Sequence, residues 1–365
     1  MIKRPVLALG AHTKNTLCFA EGKSFFISRI HPDLDNWQDF LEFKKDLNFF
    51  LKKRPALVVC DLHPLYRSTQ VAENLSQKYI LKKVQHHHAH IASCMLENNL
   101  KNEKVIGIAF DGTGLGKDNT LWGAEFFLCD YHNFKRVAHL KNVVLAGQER
   151  AIREPWRITF AWLYSLYKER VFKLNIEFIH RIDYKKAQIL KKIITIEFNS
   201  ILSSSMGRLF DAVAVLILNR FNSKFEGELP KRLEDLAKKF RGNFRLNLKD
   251  YVFKIEKEDK VYIIDPLPLF RGIIKEIIHK KDKREIAFKF HKAVSLMVKK
   301  ICVKLRNDTG INKVVLSGGV FQNSLLQGLV LDLLYKNRFT VFHHKKISCS
   351  DAGLALGQAA IANFL

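Results

Sequence analysis

The 365-residue chain has no CxxC pair: its six cysteines (Cys18, Cys60, Cys94, Cys129, Cys302 and Cys349) stand far apart. Scattered thiols argue against a disulfide framework and against a structural zinc knuckle. Proline (8) and glycine (18) are too few for a collagen-like or low-complexity architecture. No apolar run approaches the length that a transmembrane helix needs. The N-terminal stretch MIKRPVLALGAHTKN starts basic, but its apolar run is too short for a signal peptide, so a cytoplasmic protein is expected. Acidic residues are in deficit as well. Asp and Glu number 36 against 61 Lys and Arg, and the net +25 favours nucleotides, nucleic acid or an acidic protein surface as partners. Runs such as HKKDKREIAFK (279–289) carry part of that excess and read first as solvated helix faces.

What is present suffices for a packed core. Hydrophobic residues make up 47% of the chain, and its length suits two domains of ordinary size. An approximate repeat organises it. Segment 6–28 (VLALGAHTKNTLCFAEGKSFFIS) and segment 105–128 (VIGIAFDGTGLGKDNTLWGAEFFL) each run strand, small-polar turn and returning strands. Two such starts predict two related α/β lobes, although two ordinary hairpins would give the same pattern. Lobe I is expected over 1–103 and lobe II over 104–351, with a terminal helix (352–365) packing back on lobe I. Between the repeats come a helical stretch (LDNWQDFLEFKKDLNFFLKK), a strand at 56–64, and a helix around Tyr66 to Lys78. The Lys-rich middle, 155–300, reads as helical, and a strand–turn–helix follows it in KVVLSGGVFQNSLLQGLVLDLL.

Several residues could carry chemistry. His86 and His90 lie four apart and share a face of a helix, a spacing that lets two imidazoles meet one metal ion. His87 and His88 point elsewhere. Two histidines are an incomplete site, and Asp111 and Asp351 are candidates to complete it. Asp111 closes the strand VIGIAF, and Asp351 opens the last helix. Either could equally be a turn or helix-capping residue. A two-His, two-carboxylate set suits iron, zinc or manganese with room for phosphate oxygens. Three turns could hold a nucleotide: Gly112–Thr113–Gly114, Ser317–Gly318–Gly319, and 203–207 ending in Gly207. None has Walker or GxGxxG spacing. The strand–Gly-Gly–helix turn is the strongest of them. Asp211, a helical turn after Gly207, could take ribose hydroxyls, or could be a surface carboxylate.

Taken together, QHHHAHIA (85–92), AFDGTGLGKDNTLWGAEF (109–126), AIREPWR (151–157), SSSMGRLFDAVA (203–214), LSGGVFQN (316–323) and SCSDAGLALGQA (348–359) resemble the C-terminal domain of the HypF family of hydrogenase maturation carbamoyltransferases. LALGAHTKNTLCFA (7–20) and CDLHPLY (60–66) match the start of that domain. The resemblance runs in order along nearly the whole chain. It implies an α/β, actin-like ATPase fold of the ribonuclease H-like kind, with two duplicated lobes around a nucleotide and metal cleft. Threonylcarbamoyl transferases acting on tRNA and O-carbamoyltransferases share that fold. It also implies transfer of a carbamoyl group from carbamoyl adenylate to the C-terminal cysteine of HypE, on the way to the cyanide ligands of [NiFe]-hydrogenase. By motif, His86, His90, Asp111 and Asp351 would be metal ligands, for iron or zinc, or else manganese or magnesium. ATP or carbamoyl adenylate would contact Gly112, Thr113, Gly114, Gly207, Asp211, Gly318 and Gly319. Asn323 would lie near base or ribose, and Lys14 and Asn15 would face the phosphates. The nucleophile belongs to another protein, so no catalytic cysteine is expected here.

The chain departs from the family in places. Full-length members carry acylphosphatase-like, zinc-finger and adenylate-forming domains before this one, and none of these is present. The adenylate would then come from a separate N-terminal HypF-like chain. FEGELPKRLE (225–234) also lacks the usual small residues after Glu-Gly. Two other readings compete: a tRNA-modifying transferase and a non-catalytic nucleotide-binding scaffold. The tRNA enzymes show HxEGH in place of HHHAH and an SGG turn where Asp111 stands, so nucleic acid is not the expected partner, nor is a membrane. The intact His, Asp and Gly motifs weigh against a decayed scaffold.

Overall fold

The computed structural model describes residues 2–242 and 246–364. In chain order the first part runs β1 (Ile2–Ala8), β2 (Thr13–Asn15), β3 (Cys18–Gly22), β4 (Ser24–Ile27), β5 (His31–Asp33), α1 (Trp37–Leu51), β6 (Leu57–Asp61), α2 (Arg67–Leu75), β7 (Ile80–Val84) and α3 (His86–Glu97). The second begins with β8 (Val105–Leu115), β9 (Leu121–Cys129), β10 (Phe134–Leu140), β11 (Val143–Ala146), α4 (Glu149–Arg153) and α5 (Trp156–Tyr167). It continues through α6 (Glu177–Arg181), α7 (Tyr184–Ile196), β12 (Ser200–Ser203), α8 (Met206–Leu218) and α9 (Glu228–Lys238). Next come β13 (Lys254–Glu258), β14 (Val261–Asp265), α10 (Leu267–Ile278), α11 (Lys283–Thr309), β15 (Lys313–Ser317), α12 (Ser324–Lys336), β16 (Thr340–His343) and α13 (Leu354–Ala362).

The duplication expected from the repeat is present in the topology. One sheet has the order β4-β3-β1-β6-β7, and the heart of the other has the order β10-β9-β8-β15-β16. In both, the first three strands pair antiparallel and the last two continue parallel. The central strands explain themselves: LVVCD and VIGIAF are continuous apolar runs, as strands covered on both faces must be. Lobe II is larger because β14 and β13 extend its sheet beyond β10, and β12 and β11 join it at β9. The Lys-rich middle is therefore not wholly helical. β12 and the β13–β14 hairpin interrupt it.

The lobes are joined by exchanged helices. α3 follows the last strand of the first sheet yet packs on β8 and β15 of the second. α13 follows the second sheet yet packs on β1, β3 and β6 of the first. The two helices cross, and the contact core between the sheets gathers Ala89, Ile91, Ala92 and Met95 with Leu354, Ala355, Ala359 and Ile361. Their approach is close enough to demand glycine: a Cβ on Gly357 would stand 1.8 Å from the Ala89 carbonyl oxygen. Gln358 ties the same helix to the end of β1, accepting from Gly10 N–H at 2.9 Å.

This crossing predicts a sharp contrast between two glycines. Gly357→Ala forces α13 off α3 and should lower unfolding stability by about 1–3 kcal/mol, the usual range for overpacking. Gly328→Ala, in α12, meets nothing within 4 Å and should be neutral or stabilising by up to about 1 kcal/mol. Urea unfolding midpoints of the two variants decide it. Equal midpoints would contradict the crossing.

Candidate metal and nucleotide site

The site lies where the C-terminal ends of β6 and β8 meet the first turn of α3 and the short 3-10 turn before α13. α3 starts abruptly because the Gln85 side chain accepts from His88 N–H at 3.0 Å and caps it. That start puts His86 and His90 on the face toward β8. Asp111 reaches them because β8 does not turn at DGTG, as expected, but carries on to Leu115 with an irregular register between Phe110 and Gly114. A bulge of this kind re-aims a side chain that regular pleating would direct elsewhere. Asp351 arrives in the turn Asp351–Gly353.

The four residues converge. One ligand atom from each of His86, His90, Asp111 and Asp351 lies within 4.8 Å of every other. His86 Nε2 is 3.2 Å from Asp111 Oδ2 and 3.6 Å from Asp351 Oδ1. His90 Nε2 is 3.3 Å from Asp111 and 3.5 Å from Asp351. Both histidines are buried, while Asp351 remains 18% exposed and gives the site its edge on solvent. Although carboxylates stand close by, His90 Nε2 makes no hydrogen bond of acceptable geometry. Such an orphaned nitrogen, facing a shared point with three other donors, fits a bound cation.

Asp61, to which the sequence reading gave no role, completes the arrangement. It is fully buried at the end of β6 and accepts from His86 Nδ1 at 2.8 Å, which leaves Nε2 to face the centre. A carboxylate behind a histidine fixes tautomer and ring orientation in this way at metal sites. The available signal was its position, an Asp closing an apolar strand inside CDLHPLY, as Asp111 closes another. On the other side, Gly319 N–H donates to Asp111 Oδ1 at 3.0 Å. Gly318 sits at φ +100°, where a Cβ would stand 2.2 Å from the Phe110 carbonyl oxygen.

The electrostatics are those of charges forced together. Burial disfavours charge on His86, but Asp61, Asp111 and Asp351 outweigh it and hold its pKa well above the ordinary histidine value. The same contest raises His90. Burial likewise opposes charge on Asp111 and Asp351, yet the two imidazoliums hold both carboxyls below the usual carboxylate range. Raised histidines stabilise the metal-free fold at low pH and lose that contribution as pH rises through their folded values. Lowered carboxylates contribute above their unfolded value and lose it as pH falls through the folded one. His87 and His88, outside the cluster, are pushed down by burial to about 3 and about 4. Gln85 holds His87 Nδ1 at 3.0 Å, and His88 Nε2 meets the Asp130 carbonyl at 2.7 Å.

The expected nucleotide residues divide. Gly112 and Gly207 abut: a Cβ on Gly207 would lie 2.9 Å from Gly112 Cα. Ser205 Oγ donates to the Asp111 carbonyl at 3.0 Å and caps α8. Arg208 and Asp211 are buried beside this segment, with Arg208 Nε 3.0 Å from Asp211 Oδ2 but out of line for a hydrogen bond. Burial, only partly offset by Arg208, pushes the Asp211 carboxyl up to about 6. Arg208 Nη2 also donates to Glu226 at 3.1 Å, which brings FEGELPKRLE over Gly112. Thr113 is half-buried on the same bulge.

Others serve the fold. Gly114 lets α3 approach, since a Cβ there would stand 2.5 Å from His87 Cε1. Asn15 does not face a phosphate. It is buried and closes its own turn, donating to Leu9 and Ala11 carbonyls at 2.7 and 2.6 Å. Asn323 likewise caps α12 through Leu326 N–H at 2.9 Å and lies 2.9 Å from His291 Nε2. Lys14 is exposed at φ 48° on a turn that meets the Asp351 segment through Thr16, whose Oγ1 donates to Ala352 O at 3.0 Å.

Two lobes of one topology, joined by crossed helices with acidic strand ends between them, define the class: an actin-like ATPase fold. Residues 2–97 match the family model described as the HypF Kae1-like domain, and residues 107–358 match the carbamoyltransferase Kae1-like domain, second subdomain; the chain belongs to this family. It is 32% identical over 373 residues to carbamoyltransferase HypF of Synechocystis sp., covering 98% of this chain but 47% of that protein. A carbamoyltransferase HypF homolog of Cupriavidus necator is 32% identical over 373 residues, covering 98% of this chain and 91% of the other. The crystal structure of full-length HypF in its phosphate- and nucleotide-bound form superposes with a TM-score of 0.90 at 40% identity, over 99% of this chain and 55% of that one. The chain thus spans about half the length of relatives such as the Synechocystis protein. Among the described residues, no helix is long and apolar enough to cross a membrane.

The geometry predicts two outcomes. Loading zinc into the metal-free protein at pH 7 should release protons, because the raised imidazoles must give theirs up. Calorimetry in buffers of different ionisation enthalpy reads this directly, and loading without proton release would contradict the paired cluster. Asp61→Asn should weaken zinc retention by about ten- to a hundred-fold against a competing chelator.

Proposed function

We propose that this chain carries a carbamoyl-transfer site of the HypF type, moving the carbamoyl group of carbamoyl adenylate onto the C-terminal cysteine of HypE. The observation that carries the reading is the convergence of His86, His90, Asp111 and Asp351 at the junction of two duplicated lobes, in a chain of this family. These four residues would hold a metal ion, with iron and zinc best suited to two imidazoles and two carboxylates. When bound, such an ion supplies a Lewis acid and neutralises phosphate charge.

The chain's own residues do the positioning. Carbamoyl adenylate is already an activated anhydride, so the site has chiefly to orient it and exclude water. Gly112 and Gly207 leave room for backbone-close binding of the nucleotide, and buried Asp211 suits ribose hydroxyls. Thr113, Gly318 and Gly319 line the approach, and exposed Lys14 can meet phosphate oxygens. As the new C–S bond forms, the anhydride C–O bond breaks, AMP leaves and the acceptor thiol gives up its proton. The adenylate itself would come from a separate chain carrying the part of the longer relatives that is absent here.

The test combines this chain, purified HypE and a separately supplied N-terminal HypF half with carbamoyl phosphate and ATP. Mass spectrometry should find the carbamoyl adduct on the HypE C-terminal cysteine only when all three proteins are present. His90→Ala should lower its yield by more than about a hundred-fold, beyond the range typical of changes one shell further out. Undiminished transfer by His90→Ala would overturn the site. Salt-dependent, tight tRNA binding with no HypE adduct would point to the tRNA-modifying class instead.

A further inference from the structure

The AIREPWR segment has no part in the transfer site. It forms one wall of a cavity of about 750 Å³ on lobe II. Trp156, Leu190, Ile193 and Phe221 line it with apolar surface. At its rim Ile189 is 58% exposed and Phe198 67% exposed, and Tyr184 and Ile196 on the same helix also stand in water. Single exposed apolar residues are ordinary. A run of large ones bordering an apolar recess marks an interaction surface.

The rim is basic. Arg150, Arg157, Arg181 and Lys186 line it against Glu154 and Asp183. Both carboxylates are already engaged. Glu154 accepts from Arg150 at 2.9 Å and Arg157 at 2.6 Å, and Asp183 caps α7 through Lys186 N–H at 3.0 Å. Arg181 donates to the Asn219 carbonyl at 3.1 Å and lies 3.4 Å from Glu177. The surplus of cations calls for acidic residues on whatever docks.

The recess also connects to the transfer site. β11 and β12 pair antiparallel, with Ala146 opposite Ser200 and Val143 opposite Ser203. Gly147 and Asn199, just beyond the first pair, line the cavity. Two residues beyond Ser203, Ser205 holds the Asp111 carbonyl. Four strand residues cover about 13 Å at roughly 3.3 Å each. A polypeptide seated in the recess needs about five extended residues to bring its end to Asp111.

We propose that this recess is the docking surface for the acceptor polypeptide. A segment bearing acidic and apolar residues binds between α7 and the AIREPWR wall, and a tail carrying the thiol runs along β11 and β12 to the transfer site. The inference rests on the carbamoyl-transfer reading. Nucleic acid would answer the basic rim but leave the aliphatic Ile189 and Ile196 in water.

Two double variants test it at exposed positions: Arg150→Glu with Lys186→Glu, and Ile189→Ser with Phe198→Ser. Purified HypE is the probe, its binding read by calorimetry and its carbamoylation by mass spectrometry. Each double variant should raise the KM for HypE about ten-fold while kcat and ATP binding hold, and salt should weaken the unaltered chain more than the charge variant. A KM within about two-fold of the unaltered value, or a loss confined to kcat, overturns the docking surface. So does tRNA binding that the charge variant abolishes. HypE binding that depends on the recess without any transfer supports the surface and removes the transfer reading; neither binding nor transfer by the unaltered chain removes both.

Discussion

Two carboxylates and two imidazoles packed where water scarcely reaches must either neutralise one another or share a cation. That requirement governs the centre of the molecule. It sets the start of α3, since a helix beginning one residue earlier or later would rotate His86 and His90 off the shared point. It sets the irregular register in β8 that aims Asp111, and it explains the presence of Asp61 and the Gly319 N–H behind the cluster. Each of these outer groups meets a charge that would otherwise face a low-dielectric interior alone.

The duplication explains why the cluster can exist at all. Each lobe ends a central parallel strand in an aspartate, Asp61 on β6 and Asp111 on β8. Related sheets facing one another bring these ends together, and the exchanged helices carry the imidazoles and Asp351 into the gap. The arrangement draws on both halves of the chain in nearly equal measure. The nucleotide side is less even: Gly112, Gly207, Arg208, Asp211 and Glu226 all belong to lobe II.

Much of this was legible in the residues. The His86 and His90 spacing, the acidic ends of apolar strands and the repeated strand–turn–strand starts are local patterns, and local patterns survive in sequence. Asp61 was not legible as a partner of His86, because their contact is set by the sheet order and not by spacing along the chain. Asn15 and Asn323 were assigned to the ligand because polar residues near a cleft invite it. Their short side chains instead bond to nearby backbone, one closing a turn and the other capping a helix, the competition for which Asn is known. DGTG has the composition of a turn, yet pairing with β9 carries it on as strand. In the Lys-rich middle, charge masked the alternation that marks β13 and β14.

The exchange of α3 and α13 has a consequence for how the protein is made. Contacts between segments as far apart as His90 and Asp351 give the centre a high contact order, so its assembly comes late and slowly relative to the sheets. Neither lobe by itself can gather four ligands. The crossing therefore acts as a checkpoint: a half-folded chain exposes at most two imidazoles and a lone carboxylate, too poor a set to trap a metal ion in a wrong geometry. Competence for metal arrives only with the completed tertiary structure.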